Sequence, residues 1–240
     1  MLDLRGKVAL ITGAARGLGM LLAQDLAKEG MRIAGTDLRR ELLEHEMNRV
    51  AAQYSTQTMA LSADVGDEDQ VMQLVERVYQ GWGQVDVLIN NAGIRQVAPI
   101  WETTGEMWDL MHDSNLKGQF LCTREVLKQG MKERNEGTIL CVSSGSGKKG
   151  EENSSAYCAS KWGILGFAES IAKDLKNSKI RVTAMTPGMI WTPMAEESEV
   201  GHLDLDWLDP KWVSQAAVFC IKQDADTIIP ELRIYHRAQL

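Results

Sequence analysis

The amino-acid sequence predicts an α/β fold in which one doubly wound parallel sheet carries helices on both faces. Short runs of β-branched and apolar residues recur along the chain, and longer segments with helical periodicity lie between them. The strand-like runs are continuously apolar rather than alternating, which is typical of strands buried on both faces. The 240 residues contain no internal repeat and no Pro/Gly-rich linker. We therefore expect residues 1–240 to form a single domain.

Six apolar runs are the expected strands, and helical or turn residues separate them. In chain order they are KVALIT from residue 7, RIAGTD from 32, TMALSAD from 58, VDVLIN from 85, GTILCVS from 137 and IRVTAMT from 180. The clearest helical segments are LGMLLAQDLAKEG from residue 18, EDQVMQLVERVYQGWG from 68 and SKWGILGFAESIAKDLK from 160. Ligands of a doubly wound sheet bind outside the carboxyl ends of its strands, so the residues that follow each run are the candidates for function.

Composition limits the partners of the protein. The net charge of −7, without a basic stripe, argues against nucleic acid. No run of about 18 apolar residues predicts a membrane span, and the first residues lack a signal-peptide pattern. The four cysteines form no C-x-x-C pair, which favours reduced thiols and a cytoplasmic location. The four histidines are scattered without ligand spacing, so we expect no metal site.

The first predicted strand runs into TGAARGLG, in which Gly13, Gly17 and Gly19 precede a helix. Glycines at such a turn let the backbone approach a pyrophosphate, which the N–H groups and dipole of a helix N-terminus attract. The spacing is G-x-x-x-G-x-G rather than G-x-G-x-x-G, so a glycine turn without a ligand is an alternative interpretation. The second strand ends at Asp37, where an acidic residue can accept a hydrogen bond from a ribose hydroxyl. Together the two features predict a dinucleotide site.

The charges near the ribose give opposing indications about the cofactor. Asp37 would repel a 2′-phosphate and so favours NAD. Arg16 in the glycine loop, and Arg39 and Arg40 after the strand, favour NADP because guanidinium groups pair with phosphate. The aspartate has more weight because its charge should lie closest to the ribose. We expect NAD, with NADP as the less favoured cofactor.

The third and fourth strands also end in polar residues. Asp64 is placed to accept from an adenine amino group, with Val65 against the ring face. The fourth strand ends in NNAG, residues 90–93, which is interpreted either as a simple turn or as a loop that lines the cofactor.

The fifth strand ends in Ser143 and Ser144, and the following helix carries Tyr157 and Lys161 on one face. When hydride moves between an alcohol carbon and a nicotinamide, a proton must also move to or from oxygen. A free tyrosine has a pKa of about 10, and a nearby ammonium stabilises its phenolate. The residue types therefore fit carbonyl–alcohol chemistry. A plain i,i+4 pair beside a strand-end serine is the alternative interpretation.

The ordered set of motifs resembles the short-chain dehydrogenase/reductase family along nearly the whole chain. The resemblance rests on TGAARGLG at 12–19, Asp37, DV at 64–65, NNAG at 90–93, Asn115 in SNLKG, Ser144, YCASK at 157–161 and PGMIWT at 187–192. It implies a Rossmann-type, dinucleotide-binding oxidoreductase domain that acts on CH–OH groups with NAD(P). Ser144 is preferred over Ser143 because it lies 13 residues before Tyr157, as the catalytic serine of that family typically does.

The same resemblance implies a role for each site residue. Tyr157 is expected to be the general acid/base, Lys161 to lower its pKa and bind the nicotinamide ribose, and Ser144 to hold the substrate oxygen. Asn115 is expected at a helix irregularity, where it supports a water-linked proton path through Lys161. The expected cofactor contacts are Gly13, Arg16, Gly17, Leu18, Gly19, Asp37, Leu38, Asp64, Val65, Asn91, Ala92, Gly93, Tyr157, Lys161, Pro187, Gly188, Ile190 and Thr192.

Two segments depart from the family pattern. Residues 191–210 are acidic, contain Trp191 and Trp207, and are expected to form a substrate lid. The chain ends in IIPELRIYHRAQL instead of a strand followed by DGG. We expect the last strand to be present, but not the contacts that such a tail usually makes. Arg95, just after NNAG, is the cation expected nearest the substrate.

The leading hypothesis is an NAD(H)-dependent enzyme that acts on a small or medium secondary alcohol or its carbonyl. One alternative is an NADP(H)-dependent 3-oxoacyl-[acyl-carrier-protein] reductase, which Arg16 favours and Asp37 opposes. A second is a non-catalytic dinucleotide-binding regulator, which the intact Ser144, Tyr157 and Lys161 oppose. The resemblance also implies a homo-oligomer, a tetramer or a dimer, formed through the helices around residues 103–134 and 156–177.

Overall fold

The computed structural model of the protein describes residues 1–197 and 206–239. Within this part of the chain the strands are β1 Val8–Thr12, β2 Arg32–Thr36, β3 Thr58–Ala60, β4 Val87–Asn90, β5 Glu136–Val142, β6 Lys179–Pro187 and β7 Glu231–Ile234. They form one parallel sheet in the order β3-β2-β1-β4-β5-β6-β7. All six predicted strands and the expected terminal strand are confirmed, although β3 ends four residues before Asp64.

Helices connect the strands and cover both faces of the sheet. They are α1 Gly17–Lys28, α2 Arg40–Tyr54, α3 Glu68–Trp82, α4 Gly105–His112, α5 Gly118–Val126, α6 Lys132–Arg134, α7 Ser155–Asp174, α8 Pro193–Glu196 and α9 Pro210–Ile221. A π-helical turn, Asp113–Lys117, joins α4 to α5, and a second one, Leu127–Met131, joins α5 to α6. Short 3₁₀ turns occupy Gly145–Gly147 and Arg237–Gln239.

The central strand β1 shows why the apolar runs are continuous. Ala9 and Ile11 belong to the core under α1, α2 and α9, whereas Val8 and Leu10 belong to the core under α3, α5 and α7. Because successive strand residues point to opposite faces, both sets are buried only when helices cover both faces. The doubly wound single domain predicted from the sequence is confirmed.

The order of the strands places the functional edge. The chain moves outward from β1 to β2 and β3, and then returns to add β4 on the other side of β1. This reversal creates a crevice at the carboxyl ends of β1 and β4, where ligands of doubly wound sheets bind. The residues after β1, β2, β4, β5 and β6 therefore surround one site.

The described residues contain no disulfide, no helix suited to span a membrane and no cluster suited to a metal ion. Cys122, Cys141, Cys158 and Cys220 are buried and form no disulfide. No helix in residues 1–197 and 206–239 has the length and apolar character to cross a membrane. The same residues contain no cluster of His, Cys, Asp and Glu side chains suited to a metal ion.

Arg181 attaches α9 to the sheet. Its buried guanidinium donates to the carbonyl oxygens of Cys220 and Ile221, at 2.9 and 2.7 Å, and to Thr138 Oγ1 at 2.8 Å. Those carbonyls lie at the end of α9, where the helix itself leaves acceptors unused.

We predict that Arg181→Met lowers the free energy of unfolding by about 2 kcal/mol or more, because buried acceptors lose charged donors. Urea unfolding measures the loss, and Arg77→Met, at an exposed position of α3, serves as the control. A change equal to that of the control would show that Arg181 does not fasten α9.

Candidate active site

Hydrogen bonds join the ends of β1 and β4 at the crevice. The Asn91 side-chain amide donates to the carbonyl oxygens of Thr12 and Gly13, at 2.9 and 3.2 Å. In return, Thr12 Oγ1 accepts from the backbone N–H groups of Asn91 and Ala92, both at 2.9 Å. NNAG is therefore a braced loop rather than a simple turn. Sequence analysis missed Thr12, although a hydroxyl residue immediately before the glycine loop was a usable signal.

The glycine loop packs too closely for other residues. Gly13 has a φ of +66°, and a Cβ there would lie 3.0 Å from both Ala92 Cα and Asn91 Nδ2. A Cβ on Gly19, inside α1, would lie 2.1 Å from the Gly13 carbonyl oxygen. No side chain caps the N-terminus of α1, and its first turn contains no acidic residue. Its N–H groups and dipole therefore fit the pyrophosphate of a dinucleotide.

Asp37, at the end of β2, is held in place by its neighbours. Its carboxylate accepts from the Ala15 N–H at 3.3 Å and from the N–H and guanidinium of Arg39, at 3.0 and 3.2 Å. The side chain is only 6% exposed, whereas that of Arg39 is half exposed. The structure thus places one fixed negative charge beside the glycine loop, next to the exposed Leu38.

A cavity of about 460 Å³ opens between the ends of β2, β3 and β4. Its lining residues are Leu38, Asp64, Gly66, Asp67, Glu68, Ile94, Leu110, Asp113, Ser114 and Lys117. Asp64 Oδ1 accepts from the Gly66 N–H at 2.8 Å, which orients the carboxylate at the end of this loop. Val65 is buried, and a Cβ on Gly118 would lie 2.8 Å from its Cγ2. Its side chain thus packs against α5 on the protein side.

Tyr157 and Lys161 lie on one face of α7 and are both buried. Lys161 Nζ is 5.6 Å from the centre of the Tyr157 ring and donates to the Val142 carbonyl oxygen at 3.3 Å. Burial lowers the pKa of Lys161 to about 8. This is no ordinary surface pair, since the sheet and the 93–95 loop remove both groups from solvent.

Burial also raises the pKa of Tyr157 above its ordinary value. A hydrogen bond with Ser144 and the positive charge of Arg95 act against this rise, whereas Glu151 adds to it. The net direction is upward because desolvation of the phenolate outweighs stabilisation by these neighbours. Lys161 is not among these contributions, so the lowering that the family resemblance implies for it stays a prediction.

The two serines after β5 have different surroundings. Ser143 is buried and donates to the Lys161 carbonyl oxygen at 2.8 Å, so its hydroxyl fastens β5 to α7. Ser144 begins the 3₁₀ turn and its Oγ donates to Ser146 Oγ at 3.2 Å, and its hydroxyl is close enough to the Tyr157 phenol to lower the pKa of that group. The structure therefore brings Ser144, and not Ser143, to the phenol.

Asn115 is fully buried in the first π-helical turn, which is the helix irregularity expected for it. Its Oδ1 accepts from the Ile94 N–H at 2.7 Å, and its Nδ2 donates to the Ile94 carbonyl oxygen and to Ser160 Oγ, both at 3.0 Å. A Cβ on Gly93 would lie 3.0 Å from Asn115 Oδ1 and 3.4 Å from Lys161 Nζ. Asn115 thus holds the loop after NNAG against α7. Sequence analysis did not identify its partner Ser160.

Arg95 lies directly beside the phenol. Its guanidinium carbon is 5.6 Å from the centre of the Tyr157 ring, within the range of a cation–π contact. One guanidinium nitrogen is 3.2 Å from Ser154 Oγ and 3.5 Å from Glu151 Oε2. The cation expected near the substrate therefore comes with a carboxylate partner, Glu151, which sequence analysis did not identify.

The segment after β6 returns to the glycine loop. Thr192 and Pro193 approach Gly17, since a Cβ there would lie 3.7 Å from Thr192 Cβ. Arg16 pairs through both terminal nitrogens with Glu197, one of them at 2.8 Å. Ile190 forms an isolated bridge with Leu208, and the Trp191 and Trp207 rings meet edge to face at 5.2 Å. Of the expected lid 191–210, residues 198–205 lie outside the described part of the chain.

The arrangement has a specific chemical capacity. The Ser144 hydroxyl lies at the end of β5, and the Tyr157 phenol and the buried Lys161 amine lie near the beginning of α7. The three groups border the crevice at the carboxyl ends of the strands. Such a set can hold a substrate oxygen and exchange a proton with it. A phosphate-binding loop on the same edge can hold a hydride carrier close by.

Comparison with known proteins agrees with this geometry. An uncharacterized oxidoreductase of Staphylococcus saprophyticus is 30% identical over 98% of this chain and 99% of its own length. A 3-oxoacyl-[acyl-carrier-protein] reductase, FabG, of Thermotoga maritima is 40% identical over 81% of this chain and 78% of its own. A solved structure of a variant actinorhodin polyketide ketoreductase with NADPH superposes with a TM-score of 0.89, at 29% identity and 96% coverage of both chains.

The short chain dehydrogenase family model matches residues 7–201, which include the glycine loop, NNAG, Asn115, Ser144, Tyr157 and Lys161. With more than three quarters of its length matched in sequence order, the chain belongs to the short-chain dehydrogenase family of NAD(P)-dependent oxidoreductases and is an enzyme of CH–OH and C=O groups.

Proposed function

We propose that the protein interconverts a small or medium secondary alcohol and its ketone with NAD(H), using Tyr157 as the general acid/base. The observation that carries the proposal is the buried Tyr157–Lys161 pair on α7, with Ser144 beside the phenol. The nicotinamide, when bound, supplies or accepts the hydride. The residues proposed to surround the cofactor come from the loops that follow the strands. They are Gly13, Arg16, Gly17, Leu18, Gly19, Asp37, Leu38, Asp64, Val65, Asn91, Ala92, Gly93, Pro187, Gly188, Ile190 and Thr192.

The chain's own groups handle the proton. In the reductive direction Tyr157 Oη gives its proton to the developing alkoxide, while the Ser144 hydroxyl donates a hydrogen bond to the same oxygen. The phenol is protonated at neutral pH, as a proton donor must be, although the raised pKa of Tyr157 makes it a weaker acid than a free tyrosine. In the oxidative direction the phenolate must form, so this direction gains rate as pH rises. The Lys161 amine, beside the ring, stabilises that phenolate while it remains protonated.

Asn115 serves first as a positioning residue. Its amide is occupied by Ile94 and Ser160, and these bonds fix the loop that borders Lys161. A water-linked proton path through Lys161 is part of the proposal, because the lysine is buried and its proton needs a route to solvent.

Charge pairing around Asp37 supports NAD over NADP. Arg39 is bound to Asp37 and Arg16 is bound to Glu197, so both cations nearest the ribose already have carboxylate partners. A 2′-phosphate would approach the buried Asp37 carboxylate and would have to displace at least one of these pairs. A ribose 2′-hydroxyl is uncharged, so Asp37 does not repel it and neither ion pair has to be displaced.

The second candidate is an NADP(H)-dependent 3-oxoacyl-[acyl-carrier-protein] reductase. The FabG relative and the NADPH bound in the ketoreductase structure favour it. Arg16 supports the same interpretation, since it sits in the glycine loop and its partner Glu197 is exposed enough to move. Binding of the two cofactors separates the candidates.

A cytoplasmic homo-oligomer, a tetramer or dimer, is part of the proposal. Trp162 on α7 and Phe120 on α5 are 51% and 42% exposed, and Phe120 meets Phe167 edge to face. Apolar side chains on these two helices fit an interface between copies, and the sedimentation velocity of the purified chain tests it. The buried, unpaired cysteines fit a reducing compartment.

We predict that NADH binds about tenfold more tightly than NADPH, a difference of roughly 1.4 kcal/mol. The fluorescence of the bound nicotinamide gives both dissociation constants. Asp37→Ser should narrow the gap because it removes the charge that opposes the 2′-phosphate, and the exposed Asp69→Ser is the matched control. Tighter NADPH binding by the unaltered chain would make the 3-oxoacyl reductase the leading function.

We predict that Tyr157→Phe lowers kcat by about 10²–10⁴-fold, the usual contribution of a general acid/base, while NADH still binds. Steady-state rates with a panel of secondary alcohols and ketones measure the loss. Tyr79→Phe, which removes a hydroxyl near the end of α3 that donates to the Val126 carbonyl oxygen, is the control. If the Tyr157 variant kept full activity, the mechanism would be wrong.

The charges beside Tyr157 predict opposite shifts of the pH profile. Arg95 lowers the pKa of the phenol and Glu151 raises it. Oxidation requires the phenolate, so Arg95→Gln should move the rising limb of kcat/KM to higher pH and Glu151→Gln to lower pH. The profile of alcohol oxidation measures both shifts, and movement in the same direction in both variants would contradict the assignment.

A further inference from the structure

The tail after β7 folds back over the loops that follow β5 and β6. A Cβ on Gly145 would lie 3.2 Å from Tyr235 Oη, and a Cβ on Gly188 would lie 2.8 Å from Tyr235 Cδ1. Gly188 also donates its N–H to the Ile234 carbonyl oxygen at 2.8 Å. The tail therefore packs directly against the loops that carry Ser144 and the expected nicotinamide contacts.

Gln239 makes three hydrogen bonds from this tail. Its Oε1 accepts from the Met189 N–H at 3.0 Å, and its Nε2 donates to the Met189 carbonyl oxygen at 3.0 Å. The same nitrogen donates to the Asp206 carbonyl oxygen at 2.7 Å. Both N–H donors and the oxygen of the amide are used, so the side chain is held in one orientation.

These contacts join two stretches that are distant in sequence. Leu208 donates its N–H to the Met189 carbonyl oxygen at 2.9 Å, and Trp191 donates to the Leu208 carbonyl oxygen at 3.2 Å. Gln239 adds bonds to Met189 and Asp206, so one amide joins the residues after β6 to those before α9. Residues 190–197, which start there, reach the glycine loop through Thr192 and Glu197.

The fit is tight at one point. A Cβ on Gly188 would lie 2.1 Å from Gln239 Oε1, so the amide occupies space that only a glycine at position 188 leaves open. The family match ends at residue 201. Gln239 therefore lies outside the residues that the family model covers.

We propose that Gln239 is a positioning residue that fixes Met189 and Asp206 and thereby holds residues 190–197 against the glycine loop. Its effect on catalysis rests on the proposed oxidoreductase function, whereas its effect on the position of this segment does not. Loss of the amide frees both anchor points together, because one side chain holds them. The cofactor and substrate then have to order the segment when they bind.

The test replaces Gln239 with Ala in the full chain. A matched control is Gln223→Ala, since Gln223 also donates its amide to a backbone carbonyl, that of Phe219 at 2.8 Å, away from the site. Limited digestion with a protease that cuts after glutamate reports the position of Glu196 and Glu197 without any need for activity. We expect cleavage there to be about tenfold faster in Gln239→Ala, as for the loss of a few hydrogen bonds.

Kinetics give a second readout. KM for the cofactor and the carbonyl substrate should rise about tenfold with kcat nearly unchanged, and the melting temperature should match that of the control. Gln239→Glu keeps the size and one acceptor but loses both donors, so it should behave like the Ala variant at neutral pH. Cleavage at Glu196 and Glu197 equal to the control in both Gln239 variants would overturn the proposal. Faster cleavage together with an active Tyr157→Phe enzyme would overturn the proposed mechanism instead.

Discussion

The exchange of hydrogen bonds between Thr12 and Asn91 is the contact on which the site depends. It joins the ends of β1 and β4 at the crevice, where the strand order reverses. Gly13 can take its left-handed conformation beside Asn91 because no side chain intervenes. The glycine loop and the loop carrying Gly93 are thereby held against each other, and the second of these loops borders Lys161. A backbone turn for phosphate and a buried amine for proton chemistry are therefore parts of one rigid edge.

Burial shifts the pKa values of Tyr157 and Lys161, two ionisable groups on α7, in opposite directions. The sheet and the Asn115 brace exclude water from Tyr157 and Lys161, which raises the pKa of the phenol and lowers that of the amine to about 8. Both shifts favour the neutral forms, because a low-dielectric environment penalises charge. Arg95 counteracts the shift at Tyr157 from within cation–π distance, and Glu151 limits that effect. The acid strength of the phenol is thus set mainly by burial, and the charges of Arg95 and Glu151 adjust it in opposite directions.

Near the glycine loop, ion pairs within the protein decide which charges remain available to a cofactor. Asp37 is buried and bonded to Arg39, and Arg16 is bonded to Glu197 from the segment after β6. A carboxylate from a distant part of the chain therefore pairs with the charge of an arginine in the glycine loop. The tail adds a second long-range link, because Gln239 holds the base of the same segment. The pairing of Arg16 and the position of the segment consequently depend on contacts between side chains that lie up to 181 residues apart.

The sequence by itself determined the sheet, the strand ends and the set of reactive residue types. Continuous apolar runs require burial on both faces, and parallel strands bring Gly13, Asn91, Ser144 and Tyr157 to one edge whatever the details of packing. Only the tertiary structure decided which partners these groups have. The direction of the Tyr157 pKa shift, the pairing of Arg16 with Glu197 and the reach of Gln239 depend on desolvation and on contacts between residues far apart in the chain. Local periodicity and spacing carry no information about such contacts, because they arise only when the elements pack together.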